Sequence, residues 1–208
     1  MDKKIMISDL FHKSWKSLWA QIWVLSGLLI GYAIISMLLQ AFIPRPANGT
    51  LSIAGTVIVL IGLFISLIFE LGYTKNLFQA IDGEEPQFSS YGQMSRKIFV
   101  YFATKLIYGL IVCAGLLLLI VPGIYLAIRL QFYYMAIVEE DAGILDSLRR
   151  SWEITRGSTL KLVLLMLVQV GVMLAGFALF LIGIFVALPL CGLMSCYAFR
   201  RLTVSTTS

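Results

Sequence analysis

The chain has 208 residues, of which 60% are apolar and only 13% charged, with a mean hydropathy of +0.92 and a formal net charge of +5. A soluble domain is about 45–50% apolar and about 25% charged, so disorder and an ordinary water-soluble domain are excluded and an all-α integral membrane protein is expected. In such a chain a pI near 9.2 reads as cytoplasmic loops facing anionic headgroups rather than as a nucleic-acid surface, and no nucleic-acid partner is expected.

In chain order, residues 1–17 read as a cytoplasmic amphipathic helix carrying Lys3, Lys4, Lys13 and Lys16. About 20 apolar residues cross a bilayer as a helix. The first such block runs from Leu18 to Ile43, too long and too late for a cleaved signal segment, and is read as a retained span. A short outer loop, Pro44–Thr50, contains Arg45 and the sequon Asn48-Gly49-Thr50, a pattern too common to carry weight. The second span is Leu51–Tyr73, which makes residues 18–78 the first helical hairpin. Residues 79–97, with Asp82, Gly83, Glu84, Glu85 and Pro86, read as a water-exposed cytoplasmic loop.

Ile98–Val138 is too long for one crossing, and Pro122-Gly123 divides it into a third span, Ile98–Val121, and a fourth, Gly123–Val138. At 1.5 Å per residue the fourth is roughly 24 Å long, so it must extend into Glu139, thin the bilayer or stop short of crossing. The second hairpin is therefore 98–140. Residues 141–157 read as another cytoplasmic amphipathic helix, and 158–202 as the third hairpin, its charge-free stretch Leu162–Phe199 divided at Gly183 with Pro189 tolerated inside the sixth span.

Loop charges test this arrangement. With the N-terminus inside, Lys3, Lys4, Lys13, Lys16, Lys75, Arg96, Lys97, Arg149, Arg150, Arg156, Lys161, Arg200 and Arg201 are cytoplasmic, and only Arg45 is outside. A 13-to-1 split predicts six spans with both termini in the cytoplasm.

Two cytoplasmic stretches resemble each other at an offset of 137: Ile7-Ser8-Asp9-Leu10-Phe11-His12-Lys13-Ser14-Trp15 and Ile144-Leu145-Asp146-Ser147-Leu148-Arg149-Arg150-Ser151-Trp152. A weaker third copy starts at Phe88, matching at Ser95 and Lys97. The chain thus reads as three units, each an amphipathic helix followed by a helical hairpin. Ile144, Leu145, Leu148 and Trp152 share one face at helical spacing. Arg149, Arg150 and Arg156 flank it, the pattern of a helix lying in the interface with its bases near lipid phosphate. Trp15 and Trp152 read as interfacial anchors. An elbow that merely orients the next span is the simpler account, and headgroup recognition the sharper one.

The segments Val121–Leu130, Glu139-Glu140-Asp141, Ser147–Gly157 and Pro189–Leu202, with their ordered Pro-Gly, Arg and Ser-Trp-Glu-x-Thr-x-Gly elements, resemble a bacterial and archaeal family of six-span membrane proteins. Members occur alone or as the membrane domain of some glycerophosphodiester phosphodiesterases. The resemblance implies the fold and a prokaryotic inner membrane. It does not imply the esterase, whose soluble barrel takes roughly 250 residues.

Ionisable groups at membrane depth each need a reason, because each costs about 2.5–3.5 kcal/mol on insertion scales. Lys105 lies seven residues past the start of the third span and Arg129 six residues into the fourth, toward the outer leaflet. Snorkelling is the simpler account of both, since Lys105 and Arg129 can each reach a headgroup region. Arg129 sits with Tyr125, Gln131, Tyr133 and Tyr134 and is a candidate bidentate contact for a phosphate or carboxylate. The candidate anion or lipid-headgroup contacts are therefore Arg129, Lys105, Arg149, Arg150 and Arg156. Glu139-Glu140-Asp141 reads as a solvated helix end more readily than as a cation site.

Catalytic patterns are missing from the sequence. There is one histidine, His12, and Cys113, Cys191 and Cys196 lie inside apolar blocks as packing residues. No cofactor or metal is expected, and no enzyme activity. The sequence favours an accessory, structural or lipid-interacting membrane protein whose partners are membrane lipids, anionic ones above all, with a homo-oligomer or a protein partner left open. The alternative is a transporter or flippase for an anionic headgroup or small anion, resting on Arg129, Lys105 and the repeat.

Overall fold

The computed structural model describes residues 6–43 and 52–207. Lys3, Lys4, Arg45 and the Pro44–Thr50 loop with its sequon lie outside those residues. Nine helices and no strand are found among the described residues: α1 (Ile7–Ala41), α2 (Ile53–Asp82), α3 (Ser89–Ser95), α4 (Ile98–Leu118), α5 (Ile120–Leu130), α6 (Tyr133–Glu139), α7 (Ile144–Ile154), α8 (Thr159–Ala178) and α9 (Phe180–Thr207). Six spans are long and apolar enough to cross a membrane, with α5 and α6 together supplying the fourth, over Ile120–Glu139. The fourth and sixth spans are half buried, whereas α1, α2, α4 and α8 bury under a fifth of their most apolar windows. The latter helices therefore form the periphery and expose apolar side chains.

The six expected spans are present, and where an element's ends differ from the sequence reading the reason is local. The first amphipathic segment does not stop before the first span; α1 runs through both and only kinks at Gln21 (φ −135°, ψ 22°), whose side-chain amide donates to the Glu84 carbonyl at 2.6 Å. The 79–97 loop is shorter than expected. Helix α2 continues to Asp82, where Gly83 closes it in the left-handed conformation, and α3 occupies the place of the weak third repeat.

The turn between the third and fourth spans falls at Leu119, in extended backbone, three residues before Pro122. Pro122 instead sits in the first turn of α5, where its missing N–H costs nothing. The fourth span is not one short helix. It breaks at Gln131-Phe132, and this is how a segment with Arg129 in its middle reaches Glu139.

The last turn falls at Leu179 rather than at Gly183. Gly183 serves close packing instead: a Cβ there would collide with the Gly176 carbonyl, as one on Gly123 would collide with Leu116. These contacts hold α8 along α9 and α4 along α5, while α1 packs on both α9 and α2.

Buried side chains concentrate at one end of the bundle, in the second half of α2, α6, α7 and the last turns of α9, joined by Leu10 and Leu18 of α1 and Ile98 and Tyr101 of α4. Within α7 the buried positions are Ser147, Leu148, Ser151 and Ile154, while Ile144, Leu145 and Trp152 stay exposed on the flank. The apolar face read from the sequence is thus split: Leu148 packs inward with Ile154 and the two serines, and Ile144, Leu145 and Trp152 stay outside. Pro189 removes one N–H from α9, and the orphaned Phe185 carbonyl accepts from the Ser26 hydroxyl of α1 at 3.0 Å.

Candidate functional site

The break in the fourth span leaves backbone groups of residues 129–132 without helical partners, and α7 supplies them. The Ser151 hydroxyl donates to the Arg129 carbonyl at 2.9 Å and accepts from the Phe132 amide at 3.1 Å. The Thr155 hydroxyl lies 2.7 Å from the Ser151 carbonyl and 3.1 Å from the Arg129 carbonyl. One turn apart, these two hydroxyls splice the broken span. Their serine–threonine spacing inside an amphipathic helix is the sequence signal that a reading of its apolar and basic residues passes over.

Arg129 completes the junction from the other side. It is 5% exposed. Its Nε donates to Thr155 Oγ1 at 3.0 Å, Nη1 to the Tyr125 hydroxyl at 2.8 Å and Nη2 to the Trp152 carbonyl at 2.5 Å. The guanidinium carbon lies 3.9 Å from the centre of the Trp152 ring, a stacked cation–π contact, and 5.6 Å from that of Tyr125. Arginine keeps its charge in any environment. Among the described residues no carboxylate lies within ion-pair distance of it. The charge is held by one aromatic face and three hydrogen bonds; the Trp152 ring and the bonds to Thr155 and Trp152 link α5 to α7, and the bond to Tyr125 stays within α5. Arg129 therefore stands against α7, not toward the opposite end of the fourth span as its position in the sequence suggested.

Glu139, Glu140 and Asp141 are each paired with a base from a different helix. Arg200 of α9 reaches Glu139 at 2.7 Å and also holds Asp82 of α2. Arg150 of α7 grips Glu140 with contacts at 2.8 and 3.0 Å. Lys97, at the start of α4, pairs with Asp141 and donates to the Ile137 carbonyl at 3.0 Å. The acidic run is neither a free helix end nor a metal cluster: it pins α9, α7 and α4 to the end of α6. The Glu140 carboxylate hydrogen-bonded to it lifts the Arg150 guanidinium above its ordinary range. Arg201 adds a further link, to Asp9 of α1 at 3.4 Å.

The remaining candidates lie apart from Arg129. Lys105 does not stand alone: its Nζ donates to Glu70 Oε2 at 2.6 Å, and the Tyr101 hydroxyl donates to the same oxygen at 2.5 Å. Arg149 is 80% exposed and paired only with Glu153 one turn away, a contact worth little in water. Arg156 is exposed just beyond the end of α7. Trp15 stacks on Phe11 and meets Trp19 edge-on, all on the outer face of α1, whereas Trp152 has one face taken by Arg129. The structure brings Arg129 and Trp152 together, and gives Arg150, Lys105 and Arg149 separate acidic partners.

A bundle of six apolar spans closed at one end by ion pairs and hydroxyl splices defines a multi-pass helical membrane protein. Residues 22–207 match the model of a domain of unknown function, DUF7847, and the chain belongs to that family. No curated protein and no solved structure matches it.

Proposed function

We propose that the protein is a non-enzymatic accessory or structural component of a prokaryotic cytoplasmic (inner) membrane, with both termini in the cytoplasm, that holds α7 rigidly at the headgroup level and meets anionic lipid there. The 13-to-1 split of loop charge supports the orientation. The single observation that carries the rest is the enclosure of Arg129: its ring contact and three hydrogen bonds go to the protein, so it joins helices rather than lining a path for an anion. The exposed flank of α7, with Leu145, Trp152 and Arg149, has the composition of an interfacial surface.

The test is native mass spectrometry of the purified protein with phosphatidylglycerol, wild type beside Arg129→Leu and Arg149→Ser. The account expects Arg149→Ser to lower retention of the anionic lipid two- to fivefold, and Arg129→Leu to lower thermal stability with retention unchanged below its melting point. An Arg129→Leu protein that stays as stable as wild type but loses bound phosphatidylglycerol, or loses anion flux in proteoliposomes, replaces this reading with that of a transporter or flippase.

A further inference from the structure

The seam between α2 and α4 holds a charged pair that the helix-joining network does not use. Glu70 Oε2 receives both Lys105 Nζ (2.6 Å) and the Tyr101 hydroxyl (2.5 Å), and the Lys105 ammonium also lies 5.4 Å from the centre of the Tyr101 ring. Tyr101 is buried, which fixes the carboxylate from the protein side. The pair itself is open: the Lys105 side chain is 43% exposed and that of Glu70 46%. Among the described residues, two ammonium N–H groups of Lys105 and the second oxygen of Glu70 have no hydrogen-bond partner.

The level of this opening matters. Lys105 is eight residues into the membrane from Lys97, about 12 Å along a helix axis. The headgroup layer on each side of the hydrocarbon is only about 5–7 Å thick, so, counted from Lys97, Lys105 stands about 5–7 Å below it, a depth that the lysine stem spans. An ionic pair half open at this depth keeps a desolvation cost unless a polar group covers it. Toward the bilayer centre the same seam is apolar: exposed Leu63, two turns from Glu70 on the same face of α2, and half-buried Val112, two turns from Lys105 on the same face of α4. A polar end above an apolar strip fits an amphiphile with its head at Glu70–Lys105 and its chains over Leu63 and Val112.

The free groups determine which head. The pair has no net charge, so an anionic head gains little and faces the Glu70 carboxylate. A choline head carries no N–H for the free Glu70 oxygen. A head with both a phosphate and a primary ammonium satisfies both: phosphate oxygens accept from the Lys105 ammonium, and the ammonium donates to Glu70. We propose that the Glu70–Lys105 pair is a binding site for one phospholipid with a phosphoethanolamine headgroup. This deepens the lipid-interacting reading above but uses none of its residues, so the two fail separately: one in phosphatidylglycerol retention at Arg149, the other in phosphatidylethanolamine retention at Glu70.

The experiment is native mass spectrometry of the full chain equilibrated with equal amounts of phosphatidylethanolamine, phosphatidylglycerol and phosphatidylcholine of matched chains. Wild type is expected to retain one phosphatidylethanolamine about tenfold more tightly than either other lipid, the scale of one charge-assisted hydrogen bond. Glu70→Gln is expected to abolish that preference and leave phosphatidylglycerol retention unchanged. Equal retention of the three lipids by wild type overturns the proposal, as does an unaltered preference in Glu70→Gln. If Glu70→Gln does not fold, the exchanged pair Glu70→Lys/Lys105→Glu, which keeps both charges, must keep the preference; its loss in a folded protein also overturns the proposal. An excess of water-soluble phosphoethanolamine is expected not to displace the lipid, and displacement overturns the apolar half of the site.

Discussion

The two copies of the repeated segment, one at the start of α1 and one forming α7, share four buried positions and use them differently. Leu10 and Ser147, Ser14 and Ser151, Leu18 and Thr155, and Leu25 and Leu162 are related by the offset of 137, and all eight are buried. Their backbones also depart from the helix at the same point: Gln21 (φ −135°, ψ 22°) corresponds to Ser158 (φ −117°, ψ 11°). In the first copy the residue before that point is Ala20, which stays helical, and α1 is only kinked. In the second it is Gly157 at φ 78°, and the helix ends.

The facing element makes the second difference. The α1 copy lies on α9, whose helix is continuous there, and the buried Ser14 hydroxyl finds no partner. The α7 copy faces the broken fourth span, so Ser151 and Thr155 have backbone groups to satisfy and Arg129 has a helix to hold. A repeated buried serine is thus inert against an intact helix and a splice against a broken one.

That comparison is broken or sharpened most strongly at Arg129. Arg129→Leu removes three hydrogen bonds and the Trp152 contact and leaves the Tyr125 hydroxyl without that partner, a loss of about 3 kcal/mol. Thermal unfolding in detergent is expected to report it. Arg129→Lys is expected to recover less than half, because an ammonium neither forks to three acceptors nor stacks on a ring face.

Next in size is a pair of matched substitutions with opposite signs. Ser151→Ala leaves the Phe132 amide unpartnered and the Arg129 carbonyl with Thr155 alone, and is expected to cost about 1–3 kcal/mol, whereas Ser14→Ala removes a buried hydroxyl without a partner among the described residues and is expected to be neutral or stabilising by up to about 1 kcal/mol. Equal losses at the two serines, read from the same melting curves, contradict the comparison.

Gly157→Ala tests the backbone difference. An alanine at φ 78° is expected to cost about 1 kcal/mol. Arg149→Ala is the smallest, with stability expected within about 0.5 kcal/mol of wild type, since its pair with Glu153 is exposed.

Much of the architecture was legible from charge-free run length alone, because a bilayer fixes how many apolar residues a helix needs. The six spans follow from it, whereas α7 is three residues shorter at each end than the amphipathic segment 141–157. The turn positions were less legible. Pro122 and Gly183 look like breakers, but a proline is at home in the first turn of a helix, and a glycine serves equally where two helices touch.

The site was legible only by residue type. Arg129 stood out as a charge in an apolar span, yet nothing local reveals that its span breaks two residues later and that Ser151 and Thr155 close the break. Those contacts join residues 19 to 26 positions apart. The Glu70 partner of Lys105 is 35 residues away on another helix, so a one-residue reading leaves Lys105 as a snorkelling base. The Glu139-Glu140-Asp141 run shows its meaning only when the bases of α4, α7 and α9 are placed around it.

The central claim is that Arg129 locks α7 onto the broken fourth span. Amide hydrogen exchange on wild type and Arg129→Leu, compared over residues 144–158 and over the corresponding residues 7–21, tests it most directly. The account predicts that the variant loses protection by a factor of ten or more in 144–158 while 7–21 exchanges as in wild type. Unchanged protection in 144–158, or an equal loss in both copies, contradicts it.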